Sequence, residues 1–267
     1  VHGYPGSSSE TNARQIAQRL TELLGQQIVV EGKPGATGTI AADFVAKSAP
    51  DGYTLLFGTT GTLAINAALY PKLSYDVMRD FAPIVMCATS SHVIVISPQL
   101  PVSTLKDYIA YAKARPGQLN LASSGAGTAV HLSGELFNSM TGIKTVHIAY
   151  KGGAEALTDL IAGRVHVMFA SMSSAVTLIK SGKVKALAVT SAERNSAIPE
   201  LPTVREAGLP GYAVSGFFGF LAPAATPRAI ITKLNENLVV ALKTPEMKER
   251  MSALGVDVVW STPEEFG

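Results

Sequence analysis

Two short stretches rich in glycine and hydroxyl side chains carry the chemistry this sequence offers: Gly6-Ser7-Ser8-Ser9 near the start and Ser124-Gly125-Ala126-Gly127-Thr128 near the middle. Amides in such turns can converge on one point, and a helix that follows adds the positive end of its dipole. The chemistry is capture of an anion, a carboxylate or a phosphate, with no need for a lysine or arginine. Tyr4 stands beside the first turn and could line it. Thr60-Gly61 and Ser171 each follow an apolar run in the same way, and Tyr150 in Tyr150-Lys151-Gly152-Gly153 offers a phenol for a further hydrogen bond. The ligand-binding candidates are therefore Tyr4, Gly6, Ser7, Ser8, Ser9, Thr60, Gly61, Ser124, Gly125, Gly127, Thr128, Tyr150 and Ser171.

Patterns for catalysis are incomplete. His131 and Glu135 stand four apart on one helix face, a spacing that can hold a metal, but no third ligand is identifiable and the two read as a structural pair. His147 and His166 lie among apolar neighbours and read as core or edge histidines. Ser103-Thr104-Leu105-Lys106 has the Ser-x-x-Lys spacing of penicillin-recognising enzymes without their Ser-Asp-Asn or Lys-Thr-Gly partners. No Gly-x-Ser-x-Gly elbow and no Gly-x-x-x-x-Gly-Lys-Ser/Thr loop occurs, and Gly125-x-Gly127 lacks the third glycine of a dinucleotide fingerprint, since position 130 is Val. No catalytic residue, metal or cofactor is expected.

The elements that must position these turns follow from periodicity and punctuation. Ser7 and Glu10 have capping-box spacing, Ala13, Ile16, Ala17, Leu20 and Leu24 hold a helical period, and Gly25 supplies a stop. A strand is predicted at Ile28–Glu31, a helix at Ala41–Ala46 and a strand at Tyr53–Gly58 after the Pro50-Asp51-Gly52 turn. Ala82–Ser97 reads as a long strand ended by Pro98 and Pro101; Thr104 with Asp107 then caps a helix that stops at Pro116-Gly117. Strand Leu119–Ser123 enters the second turn, followed by a helix bearing Leu132, Leu136, Phe137 and Met140 up to Gly142. Strand Thr145–Ala149, helix Ala154–Ala162 and strands Val165–Phe169, Ala186–Thr190 and Phe217–Ala222 come next, then helices Arg228–Leu242 and Pro245–Leu254. Ser261-Thr262-Pro263 opens a last helix. This alternation predicts an α/β chain of two lobes, each a mostly parallel sheet flanked by helices, with a ligand cleft between them. Lobe one comprises 1–99 and 224–267 and lobe two 100–223, with crossings and hinges at Pro98–Pro101 and Ala222–Pro227.

Composition sets outer bounds. The 267 residues, 47% hydrophobic and 16% charged, can bury one large core or two of moderate size. The longest apolar candidate for a membrane span, Cys87–Ile96, is cut by Ser90, Ser91 and His92, so no insertion into a bilayer is expected. A formal charge of +2 with no Lys/Arg cluster leaves no footprint for nucleic acid or acidic lipid, and the lone Cys87 reads as a buried thiol. With only Val1 before His2 and Gly3, the first strand reads as cut short, and a targeting segment as removed or never present.

Several ordered blocks now bear on family. They are Pro5-Gly6-Ser7-Ser8-Ser9 with Arg14, Ala49-Pro50-Asp51-Gly52-Tyr53, Leu119 to Gly125, His131-Leu132-Ser133-Gly134-Glu135-Leu136-Phe137, His147 to Gly152, and Leu201 to Tyr212. Along nearly its whole length the chain resembles the Bug-type receptors, the periplasmic substrate-binding proteins of the tripartite tricarboxylate transporter family. The resemblance implies a Venus-flytrap protein of the periplasm, in which loops after strands one and five grip a small carboxylate through amides, hydroxyls and bound waters. It implies membrane transporter subunits as partners, and a monomer. Family members usually show Gly-Gly-Ser-Thr-Asp where this chain has Gly6-Ser7-Ser8-Ser9-Glu10, and a Pro-Phe pair where it has His2-Gly3. They often carry an acid after the strand that here ends in Met168-Phe169, where Ala170-Ser171 stand instead; the missing ammonium partner argues for a plain mono- or dicarboxylate over an amino acid. The expected function is capture of a di- or tricarboxylate or aromatic acid for delivery to a transporter. The alternatives are a sensory module that signals occupancy to a partner, and a carboxylate-processing hydrolase or lyase using His131 with Glu135, or Ser7.

Overall fold

The computed structural model describes residues 1–3 and 7–267, without the side chains of Ser8 and Ala36. Its elements in chain order begin with α1 (Ser8–Leu24), α2 (Thr39–Ala46), β1 (Leu56–Thr59), α3 (Asn66–Leu69), α4 (Val77–Asp80), β2 (Phe81–Ile96) and α5 (Leu105–Lys113). They continue with β3 (Leu119–Ser123), α6 (Ala129–Thr141), β4 (Thr145–Ala149), α7 (Gly153–Ile161), β5 (Val167–Ser171), α8 (Met172–Lys180) and β6 (Lys185–Val189). The last are β7 (Ser215–Pro223), α9 (Arg228–Lys243), α10 (Pro245–Ala253), β8 (Val256–Val258) and α11 (Pro263–Phe266).

The chain divides into two units, one of residues 1–89, 217–252 and 257–267, the other of residues 90–216 and 253–256. The changes of unit fall inside β2, between Thr89 and Ser90, and inside β7, between Gly216 and Phe217. Pro98–Pro101 and Ala222–Pro227, expected as the crossings, thus lie within the second unit and the first respectively, away from the changes of unit. Proline ends a strand, but passing from one unit to the next requires no break in backbone pairing, so a strand of 16 residues serves both.

In the second unit β3 lies parallel between β4 and β5, and β2 pairs antiparallel with β5 and β6. Residues of even and odd number divide between the two faces, as the pleat requires. Ile94, Ile96, Leu119, Leu121, Val167 and Phe169 join Tyr108 of α5 and Phe137 of α6 in one core. Val93, Val95, Ala122, Met168 and Ala170 join Leu157 and Leu160 of α7 and Ala175 of α8 in the other. Near-continuous apolar strands covered by helices on both faces are the signature of a doubly flanked sheet.

The first unit pairs β1 antiparallel with β7, beside β2, and packs α1 on α9. Its core gathers Ala42, Val45, Leu56, Tyr75, Phe81 and Leu221. Residues 1–2 run as extended chain: Val1 O accepts from Phe57 N–H at 2.8 Å, and His2 N–H donates to Glu31 O at 3.0 Å. The predicted strand at Ile28–Glu31 is not formed beyond a single parallel bridge between His2 and Gly32; Val29, 75% exposed, has no face to bury. Four elements go beyond the sequence reading, among them the short helices α3 and α4. α8 occupies a stretch read as a loop at Ser171–Ser174, and β8 is a three-residue strand paired with β2.

Candidate functional site

Because β4, β3 and β5 are parallel neighbours, their carboxyl ends and the loops that follow share one edge of the second unit. Ser123 stands in register with Ala149, and Ala122 with Met168. Open α/β sheets bind ligands at this end of the strands. Of the sequence candidates, Ser124, Gly125, Gly127, Thr128, Tyr150 and Ser171 are brought together here.

Between Ser123 and α6 the backbone makes a tight turn through two left-handed glycines, Gly125 (φ 136°) and Gly127 (φ 75°). Only glycine takes such angles without strain. Thr128 is the N-cap of α6: its Oγ1 accepts from His131 N–H at 3.3 Å and donates to Gly125 O at 2.8 Å. The turn is laced to itself. Gly125 N–H donates to Ser123 Oγ at 3.2 Å, Gly127 N–H to His131 Nδ1 at 3.1 Å, and Thr128 N–H to Gly125 O at 3.4 Å. This corrects the expected roles of Gly125, Gly127 and Thr128, whose amides are engaged within the loop and shape it. The N–H groups of Ser124, Ala126, Ala129 and Val130, and the Ser124 hydroxyl, meet no partner among the described residues. They are the donors left for an anion. Ser124, a candidate from the sequence, keeps an open N–H, whereas Gly125, Gly127 and Thr128 do not, because which N–H is left over depends on acceptors such as the Ser123 hydroxyl and His131.

Tyr150 needs a similar correction. Its phenol donates to Asp159 Oδ2 on α7 at 2.7 Å, and Arg164 Nη1 donates to Asp159 Oδ1 at 2.7 Å. Desolvation, then the Asp159 carboxylate, pushes the phenol up to about 12. Tyr150 is a brace between the loop and α7, not a donor aimed at the site. Ser171 is the N-cap of α8 and its hydroxyl pairs with that of Ser174.

His131 and His147, set apart in the sequence as structural, stack with ring centroids 3.8 Å apart behind the loop. His131 Nε2 is 3.8 Å from Glu135 Oε1. No group of three metal-ligating side chains occurs among the described residues.

In the first unit Ser7 is the N-cap of α1, yet its hydroxyl makes no capping bond. Glu10 accepts from Arg14 at 2.8 Å (Nε) and 2.5 Å (Nη2), a charge-assisted pair one turn apart. Ser9 is 4% exposed and Asn12 fully buried, and neither Ser9 Oγ nor either end of the Asn12 amide has a partner among the described residues. Asn12 was not anticipated. Thr60 Oγ1 accepts from Phe217 N–H at 2.8 Å, which ties it to β7, and Gly61 opens a π-helical turn, Gly61–Ile65. Tyr4, Gly6 and the Ser8 side chain lie outside the described residues.

BugT of Bordetella pertussis is 37% identical over 262 residues, covering 98% of this chain and 80% of BugT. Among solved structures, R. palustris Rpa4515 with adipate superposes with a TM-score of 0.95 at 36% identity, covering 100% of this chain and 89% of that one. MatC (Rpa3494) from Rhodopseudomonas palustris with bound malate follows at 0.88 and 35%, covering 97% and 88%. The family model described as "Tripartite tricarboxylate transporter family receptor" matches residues 12–265. With the fold of periplasmic binding proteins, and a sequence matched almost end to end, the chain belongs to the tripartite tricarboxylate transporter receptor family.

Proposed function

We propose that the chain is a periplasmic receptor that takes a small organic acid, foremost a dicarboxylate, at the carboxyl ends of β3, β4 and β5. In this reading a monomer delivers the ligand to the membrane subunits of a tripartite tricarboxylate-type transporter. The observation that carries the reading is the set of open N–H groups at Ser124, Ala126, Ala129 and Val130, at the start of a 13-residue helix. Each charge-assisted bond from such donors to a carboxylate contributes roughly 1.5–3 kcal/mol net. The loop's own hydrogen bonds already hold the amides in place, so little ordering entropy opposes binding. The adipate and malate seen in two relatives are dicarboxylates, which supports the same class here. Residues 124–128, 150–153 and 170–174 include one charged residue, Lys151, and no acid. With no acid in these loop residues, a plain acid is favoured over an amino acid. No helix among the described residues is long and apolar enough to cross a membrane.

The test is a thermal-shift panel of adipate, malate, aromatic acids, aspartate and glutamate, followed by calorimetry. A dicarboxylate or aromatic acid should bind one to one, be recovered unchanged, and at one hundred times Kd add about 2.7 kcal/mol of stability. Nanomolar binding of aspartate or glutamate with the other acids inert would overturn the ligand class. Turnover of a bound acid would overturn the receptor reading.

A further inference from the structure

The two imidazoles behind the Ser123–Thr128 loop hold it from both ends. His131, in the first turn of α6, accepts the Gly127 N–H at Nδ1, 3.1 Å away. His147, on β4 opposite Leu121, places Nε2 2.7 Å from Ser123 Oγ, the same oxygen that accepts the Gly125 N–H. The rings lie nearly parallel, 22° apart. Because Gly127 donates to Nδ1, that nitrogen carries a lone pair, and the neutral ring holds its proton at Nε2, facing Glu135. A second proton can enter only at Nδ1. There it would set an N–H against the Gly127 N–H, replacing a bond with a repulsion, and would place a positive charge on the face of the neighbouring imidazole.

We propose that His131, backed by His147, is a positioning residue that keeps the Ser123–Thr128 loop in its anion-accepting shape only while uncharged, so that ligand affinity falls as Nδ1 is protonated. The inference rests on the carboxylate site proposed above. The surrounding charges are few. α6 contributes His131 and Glu135 and β4 contributes His147, whereas β3 and residues 124–127 contribute no titratable side chain. Desolvation holds both rings below the ordinary histidine range, opposed in each by Glu135, and the neighbouring His131 lowers His147 further. The uncharged pair is thus the state near neutral pH, and acid is the perturbation.

Two arms test this on the whole chain. In the first, adipate affinity of wild type and of His131→Asn is measured from about pH 8 to about pH 5; Asn keeps an acceptor near the place of Nδ1 but cannot be protonated. The ligand's own titration cancels between the two proteins. The ratio of wild-type to variant affinity should fall by about threefold or more toward acid, and parallel profiles, or a rising ratio, would refute the role. In the second arm, NMR of the ligand-free wild type follows the Gly127 amide and the His131 ring. A shared inflection supports the proposal, and a Gly127 amide indifferent to that titration overturns it. Should no dicarboxylate bind at any pH, the proposed function fails while this arm still decides the His131–Gly127 linkage by itself; it also stands if the variant does not fold.

Discussion

Ser124 and Thr128 stand four residues apart in one loop and answer to different tasks. The Thr128 hydroxyl caps α6 and ties down Gly125 O, so Thr128→Val should cost about 1–2 kcal/mol of stability as well as ligand affinity. Ser124 has no partner among the described residues to lose; Ser124→Ala should weaken the ligand and leave the urea midpoint where it was. If both variants bind like wild type, the second loop is not the site. Asn12 presents the reverse situation, a buried amide with neither donor nor acceptor matched among the described residues. Such a group costs about 1–3 kcal/mol, so Asn12→Leu should raise the unfolding free energy by a similar amount, read from chemical denaturation. Thr128 as a cap was legible from a hydroxyl before a helical period. Ser7, equally placed, makes no capping bond, and no spacing rule separates the two hydroxyls.

At the level of elements, α6 shows how a correct helix can be read with the wrong face. Leu136 and Met140 hold the helical period but are 42% and 39% exposed. The buried face is Val130, Ser133, Gly134, Phe137, Asn138 and Thr141. Polar members are admitted because the interior supplies partners: His92 Nδ1 lies 3.0 Å from Ser133 Oγ, and the Tyr212 phenol donates to Ser133 O at 2.9 Å. Gly134 lets the helix lie directly on the sheet; a Cβ there would come within 2.7 Å of Leu121 Cδ2 and 3.2 Å of Phe169 Cδ2, both in a filled core. Gly134→Ala gains helix propensity worth about 0.5–1 kcal/mol but overpacks the core at about 1–3 kcal/mol, so a net loss of stability is expected by thermal denaturation. The strands were easier to place: Leu119–Ser123 and Thr145–Ala149 have the boundaries expected from apolar runs between turn residues. A loop-like run of serines hid α8, whose core contacts come from Met172, Ala175 and Val176 after the serine-rich start.

For the molecule as a whole, every one of the five histidines is held below its ordinary pKa, with desolvation the largest cause in each case. Burial takes His92 furthest, to about 4. A depressed histidine favours the neutral native ring, so its contribution is complete above the unfolded value near 6.5 and is lost as pH falls toward the folded value. Urea midpoints should therefore decline from about pH 6.5 toward about pH 4, and His92→Asn should flatten that decline; a midpoint constant down to about pH 4.5 would contradict it. The long strands β2 and β7 each contribute residues to both units, and the prolines expected to mark the exchange lie elsewhere. By itself the sequence determined the α/β class, the order of most elements and the family, and it singled out the loops of the candidate site, since these depend on local periodicity, turn chemistry and contiguous motifs. Only the tertiary structure decided which amides of the Ser124–Thr128 loop remain open, which face of α6 is buried and where the chain changes unit. Those outcomes depend on competition among hydrogen-bonding partners, local ones such as His131 with Gly127 and Asp159 with Tyr150 and distant ones such as Phe217 with Thr60, and it is settled only in the folded geometry.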